Sequence, residues 1–241
     1  MKLITLNTWG GRVGQPFVQF ILDHKDTDIF CFQEIYDKAE EVMDVHYPEV
    51  DHSIFTRLKE LLPKHNGFFR PVLEDVYGIA IFIKKNISVL EEGEVFIHRN
   101  ERGTVIDGHH SRNLQWIKFD MEGRVFTVMN VHGLWNGKGK NDTPERIAQS
   151  NIIREFMDRT EDPKILCGDF NLNPDTESVK ILEKDMKNLV KDHSITSTRT
   201  SLYEKQGKFA DYIFTSPDIN IKTFEVLPEE VSDHSALSLE I

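Results

Sequence analysis

Apolar positions along this chain recur at two spacings. Residues Lys2–Asn7 alternate, Leu3 and Thr5 against Ile4 and Leu6, and predict a first buried strand. After Pro16 the apolar Phe17, Phe20 and Ile21 fall at helical spacing and predict a helix over Pro16–Lys25. Ile29–Gln33 is a short apolar run that stops at Glu34, a second core strand. Ala39–Met43 and Ser53–Leu62 read as helices, and Gly78–Lys84 as a strong strand. Leu114–Phe119 and Val125–Val131 flank the turn Met121-Glu122-Gly123-Arg124, a hairpin pattern. Asp142 or Thr143 before Pro144 opens a helix running to about Asp158. Lys164–Phe170, Phe209–Thr215, Ile219–Val226 and Ala236–Ile241 read as further strands.

So many strands with few crossover helices cannot form one regular parallel sheet. The α/β pattern therefore predicts two packed mixed sheets with helices outside, as one domain over residues 1–241. The stretch Arg99–Arg112 has no apolar periodicity and is expected to be a long polar loop.

Composition narrows the class. Of 241 residues, 39% are hydrophobic and 29% charged, which suits a globular protein and argues against disorder. The net charge of −11 opposes broad, charge-driven coating of nucleic acid or anionic membrane, but leaves room for a polyanion held by a metal and local cations. Cys31 and Cys167 both sit in apolar runs and read as buried strand residues, not a disulfide framework. No apolar stretch approaches the ~18 residues that span a bilayer, and the amino terminus shows no leader pattern, so a cytoplasmic monomer is expected.

The chemistry lies in where strands stop. Strand one ends at Asn7, strand two at Glu34, the second hairpin strand at Asn130 and His132. KILCG runs into Asp169 and Asn171, FADYIF carries Asp211, and Ser232-Asp233-His234-Ser235 precedes the last strand. Polar residues at strand ends converge at one sheet edge, where ligands of α/β folds bind. Singly, each has a structural reading: a turn-forming Asn7, a solvated Glu34, a hydrogen-bonded Asp211, an Asx turn at Asp169. Jointly they suit phosphoryl chemistry, because Mg²⁺ takes hard oxygen ligands that Glu34, Asp233 and the Asn7 amide oxygen can offer. Zinc spacing, a phosphate-binding GxxxxGK[ST] loop and a GxSxG elbow are absent, and His109-His110 reads as a solvated loop.

The segments LNTWG (6–10), FQE (32–34), NVHG (130–133), GDFNLNP (168–174), ADYIF (210–214) and SDHSAL (232–237) together resemble the endonuclease/exonuclease/phosphatase family of metal-dependent phosphohydrolases. The resemblance implies a four-layered α/β sandwich and a Mg²⁺ ion, for which Mn²⁺ can substitute. It implies that Glu34 is the principal metal ligand, with Asn7 and Asp233 beside it, directly or through water. Asp169 would orient or deprotonate the attacking water, and Asn171 and His132 would hold the phosphate. His234 would stand beside the scissile phosphate, hydrogen-bonded to Asp211. Arg112 falls where such proteins place a cation, and Trp135 is a candidate substrate contact. Histidine at position 132 disfavours an abasic-site endonuclease.

The expected activity is hydrolysis of a phosphate ester, possible substrates including nucleic acid. A charge count favours a diester: Glu34, Asp169, Asp211 and Asp233 face one metal and Arg112. Lys138, Lys140 and Arg146 are the only other nearby cations in the sequence, and cations reaching the site would reverse that count toward a phosphomonoesterase of inositol-phosphatase type. A non-catalytic binding module is the third reading.

Overall fold

The computed structural model describes residues 1–43, 49–100 and 109–241. Its elements in chain order are β1 (Lys2–Asn7), a 3₁₀ turn (Trp9–Gly11), α1 (Gln15–Asp23), β2 (Ile29–Tyr36), α2 (Glu40–Met43), α3 (Ile54–Leu61), β3 (His65–Leu73), β4 (Tyr77–Lys84) and β5 (Ser88–His98). There follow β6 (Arg112–Met121), β7 (Arg124–His132), α4 (Pro144–Arg159), β8 (Lys164–Asp169), α5 (Glu177–Glu183), β9 (Lys187–Asn188), α6 (Leu189–Asp192), β10 (Asp211–Thr215), β11 (Thr223–Val226) and β12 (Leu237–Glu240).

The strands form two mixed six-stranded sheets, ordered β11-β12-β1-β2-β4-β3 and β5-β6-β7-β8-β10-β9. Their inner faces pack on each other through Leu3, Cys31 and Ile81 on one side and Ile117, Ile165 and Ile213 on the other. The outer face of the first sheet carries Ile4, Leu6, Phe30 and Phe32, covered by Phe17, Phe20 and Ile21 of α1 and Ile54 and Leu58 of α3. Ile153 and Met157 of α4 and Val179 and Leu182 of α5 join the core of the second sheet. Both faces of β1 are buried, which is why its alternation is between apolar sets. The expected four-layered α/β sandwich is what forms. Both cysteines are free and buried.

In each sheet one pair of strands is parallel, β1 with β2 and β7 with β8. The connections run through α1 and α4, since parallel neighbours need a crossover. All four strands therefore deliver their carboxyl ends to one edge. β10 runs antiparallel to β8, so it starts at that same edge, with Asp211 opposite Asp169.

Three strands were not legible in the sequence, β3, β5 and the two-residue β9. All three lie at sheet edges, β3 in the first sheet and β5 and β9 at the two edges of the second, and β5 is half-exposed and carries Glu91, Glu92 and Glu94. Charge and Pro71 in β3 are edge-strand features that erase a clean period of two. Arg70 of β3 pairs with Glu92 of β5 and closes that side of the sandwich. The strand expected over Ile219–Val226 is shorter, Thr223–Val226, and that expected over Phe209–Thr215 begins at Asp211. The hairpin turn has Glu122 at φ 56° and Gly123 at φ 82°, the left-handed pair that tight hairpins require. Of the expected polar loop Arg99–Arg112, residues 101–108 lie outside the described residues, and Arg112 is already the first residue of β6.

Candidate active site

The converging strand ends open into a cleft of about 300 Å³. Glu34, Arg112, His132, Trp135, Asp169, Asn171, Asp233 and His234 all line it, with Asn7 and Asp211 directly behind. Every residue given a catalytic, metal or substrate role from the sequence thus falls in one place.

Glu34 lies where the register between β2 and β4 shifts, between Phe32 and Ile35, and its φ is 56°. A bulge of this kind re-aims a side chain out of the pleat, here into the cleft. Trp9 (φ 51°) and Asn171 (φ 53°) also line the cleft in the left-handed region. Left-handed non-glycine residues are costly and collect at functional sites.

Asn7 joins the two sheets. Its Nδ2 donates to Glu34 Oε1 at 3.0 Å and to Asp169 Oδ2 at 2.9 Å, while its Oδ1 accepts the Trp9 N–H at 3.0 Å. The amide oxygen expected to face a metal is therefore turned to the backbone, and Asn7 holds the two carboxylates together. The other oxygen of Asp169 accepts the Asn171 N–H at 2.8 Å. A second cross-sheet bridge lies below: Gln33 Nε2 donates to Asn130 Oδ1 at 2.7 Å, and Asn130 Nδ2 donates to Phe32 O at 3.0 Å. Asn130 thus joins the sheets inside the core.

The two histidines are held differently. His132 Nδ1 lies 2.9 Å from Arg112 Nη1. A guanidinium can only donate, so Nδ1 accepts and the His132 proton sits on Nε2. That Nε2 is 3.9 Å from Glu34 Oε1 and 3.8 Å from Asp169 Oδ2. Burial, then Arg112, keeps the His132 pKa well below the ordinary value. His234 Nδ1 lies 2.8 and 2.9 Å from the two oxygens of Asp211, and its Nε2 is 3.6 Å from Asp169 Oδ2. Burial lowers His234 to about 4, and burial raises Asp211 to about 6. Thr198 Oγ1 donates to Asp211 Oδ2 at 3.0 Å. At neutral pH the pair is therefore an ionised carboxylate accepting from a neutral imidazole, with the Nε2 lone pair facing Asp169.

Glu34 is raised to about 7, first by burial and then by the charge of Asp233, with Asp169 adding to it. Asp169, Asp211 and His234 offer a further set of ligand atoms within 4.8 Å of one another. That set overlaps the Asp211–His234 pair.

Arg199, Tyr203 and Lys205 line the cleft and were not found from the sequence. Arg199 pairs with Asp233 at 3.0 Å and stacks on Tyr203 at 4.1 Å. Lys140 also stacks on Tyr203, at 5.3 Å, and Lys205 lies 6.0 Å over Trp135. Arg12 lies over Trp9. Arg12, Arg112, Lys140, Arg199 and Lys205 make five cations in the cleft wall, of which the charge count from the sequence had named Arg112 and, as a nearby cation, Lys140. Of the remaining sequence candidates, Arg146 is fully buried and donates to the carbonyls of Leu134, Gly139 and Asn141, fixing the loop that carries Trp135 and Lys140. Lys138 is exposed and does not line the cleft. His110, expected in a solvated loop, is buried, lines the cleft and meets Tyr77 edge-on at 5.0 Å. No local pattern marks Arg199 or Tyr203, since both lie in irregular chain.

Residues 4–234 match the model of the Endonuclease/Exonuclease/phosphatase family. No curated protein matches the chain. Among solved structures it is similar to a mannosyl-6-phosphatase of Bacteroides thetaiotaomicron VPI-5482, with 21% identity, TM-score 0.74 and coverage of 100% of this chain and 98% of that one. It is also similar to the human Nocturnin catalytic domain with bound sulfate anion, at 20% identity and TM-score 0.67, covering 99% and 92%. A third likeness is to D. rerio TDP2 humanized by 14 mutations, at 15% identity and TM-score 0.73, covering 99% and 97%. At these identities the likeness is one of fold. Among the described residues no helix is long and apolar enough to cross a membrane.

Proposed function

Because this chain belongs to the endonuclease/exonuclease/phosphatase family, we propose that it hydrolyses a phosphate ester with one divalent cation, Mg²⁺ or in its place Mn²⁺, at Glu34. The donor set fits such an ion. Burial first, then the neighbouring charges of Asp233 and Asp169, raises the Glu34 pKa, and a cation at this cluster would offset both effects. Glu34 and Asp233 would hold the ion, Asn7 fixing Glu34 through its NH₂ group. Once bound, the cation would polarise the phosphoryl group and stabilise the leaving oxyanion.

The chain's own groups account for the rest. Asp169 has one oxygen on the Asn171 N–H and the other on Asn7, a fixed base for the attacking water. His132, its tautomer set by Arg112, points an N–H at the space between Glu34 and Asp169, where charge develops on phosphoryl oxygens. His234, held by Asp211, presents Nε2 to the same space, accepting a proton when neutral and donating once charged. The observation that carries this reading is the convergence of Glu34, Asp169, His132 and the Asp211–His234 pair in one cleft.

The cation wall bears on the substrate. A phosphomonoester brings about two negative charges near neutral pH and a diester one. The charge count that favoured a diester placed one metal ion and Arg112 against four carboxylates. With Lys140, Arg199, Lys205 and Arg12 in the same wall, the balance favours a compact monoester. The fold shared with a mannosyl-6-phosphatase supports the same choice. The exposed-side aromatics Trp9 and Trp135 favour the second reading, a diester whose second substituent rests on them.

The test is kcat/KM for p-nitrophenyl phosphate and its bis ester in Mg²⁺, repeated in excess EDTA. Metal-dependent turnover with the monoester ahead is expected. A clear diester preference restores the phosphodiesterase reading, and absence of turnover of either ester removes the enzyme reading.

A further inference from the structure

Lys140 and Arg199 come from separate loops and meet over one ring. The Lys140 side chain is buried; its ammonium donates to the Phe209 carbonyl at 2.8 Å and, among the described residues, has no carboxylate partner. The Arg199 side chain is only 6% exposed. One edge of its guanidinium is taken by Asp233, and its buried Nε–H has no hydrogen-bond partner among the described residues. Both cations lie over Tyr203, at 5.3 and 4.1 Å.

This is an expensive arrangement in an isolated protein. Two cations near each other are taken largely out of water, with Asp233 the carboxylate in contact with Arg199 and with Asp169, Asp211 and Asp233 acting on Lys140 only from beyond ion-pair contact. A buried charge is costly unless paired. An aromatic face offsets part of that cost. The burial and Arg199 together lower Lys140 to about 8, so the ammonium is still mostly charged at neutral pH. The arrangement is also built to hold position, because Arg146 ties the Lys140 loop through three carbonyls. An open-ended cleft with fixed, under-compensated donors is a place for an anion.

Resting on the phosphoesterase reading above, we propose that Lys140 and Arg199, gathered on Tyr203, form a second anion subsite beside the reaction centre. It takes a phosphate or carboxylate carried by the leaving group. The substrate class is then a small phosphate ester bearing a second anionic group. Arg112, the cation bonded to His132, stays with the ester being cleaved, so the two anions of one substrate meet separate cations. Lys205 over Trp135 stands at the rim and adds to the same positive field.

The experiment compares Mg²⁺-dependent kcat/KM for glycerol phosphate, phosphoglycerate and glycerol bisphosphate in the wild type, Lys140→Met and Tyr203→Leu, with thermal melts of all three proteins. The wild type is expected to prefer one of the two doubly functional esters by about tenfold, the scale of one charge-assisted hydrogen bond. The preferred one identifies the second anion as phosphate or carboxylate. Both variants should bring that preference toward unity, mainly through KM. No preference in the wild type, or a preference that survives in both variants, overturns the subsite. If no ester is hydrolysed, the phosphoesterase reading fails, and calorimetry with inorganic pyrophosphate in EDTA decides the subsite alone. Binding weakened about tenfold by Lys140→Met and by Tyr203→Leu supports it, and equal or absent binding overturns it.

Discussion

His234 Nδ1 reaches both oxygens of Asp211, at 2.8 and 2.9 Å, across the gap between the start of β10 and the loop before β12. The carboxylate fixes which imidazole nitrogen carries the proton and leaves Nε2 for the cleft. Asp211→Asn keeps the shape but loses the charge and can present an NH₂ group to Nδ1. A fall in kcat of about 10²–10⁴ is expected, as for other acid–histidine pairs, with an unchanged circular dichroism spectrum. A fall of less than about threefold would show that His234 does not act through this pair.

The Arg112–His132 bond predicts a second kinetic effect. Arg112→Met leaves His132 Nδ1 without its donor, in a buried site where the tautomer is then free to change. Loss of one oriented donor to developing charge lowers kcat by about 10²-fold. Imidazole ¹⁵N shifts in wild type and variant check the cause. An Nε2–H tautomer that persists in Arg112→Met removes Arg112 from this role.

Glu34 gives a stability prediction. Its pKa rises from 4.5 to about 7 on folding, mainly by burial. Between those values the folded protein keeps a proton that the unfolded chain releases, so stability is lost as pH rises through this window. In EDTA at pH 8, Glu34→Gln should therefore melt above the wild type by an amount equivalent to roughly 1–3 kcal/mol, with the gap closing near pH 4.5. Mg²⁺ should raise the wild-type melting temperature and leave the variant's nearly unmoved. Equal melting temperatures at pH 8, or an equal Mg²⁺ response, would count against both the burial cost and the metal assignment.

Gly168 is required by shape. A Cβ there would meet Val131 O at 2.1 Å, and its φ of 131° is one that side chains avoid. Gly168→Ala must push β8 from β7 beside Asp169. A loss of about 3 kcal/mol or more is expected by chemical denaturation, together with a loss of activity. A variant as stable and active as wild type would mean that β8 shifts freely.

The layers of this fold were legible because most strands and α1 carry uninterrupted apolar patterns. Leu3–Leu6, Ile29–Gln33 and Gly78–Lys84 are buried on both faces, and hydrophobic burial leaves such runs few alternatives. The same holds for much of the site: Asn7, Glu34, His132, Asp169, Asp211 and His234 interrupt or flank apolar runs, and although each alone has a structural reading, so many polar groups at strand ends of one sheet edge point together to a site. The edge strands β3 and β5 were not legible, because half-exposed strands with charges and proline have no clear period. Only the tertiary structure turned the amide oxygen of Asn7 to Trp9 and its NH₂ to the carboxylates, since that choice depends on hydrogen bonds across both sheets. Only it brought Arg199, Lys140 and Tyr203 to one ring and His110 to the cleft. Those residues lie in irregular chain with no periodicity to report their direction, and their meeting is decided by how the loops pack over the sheet edge.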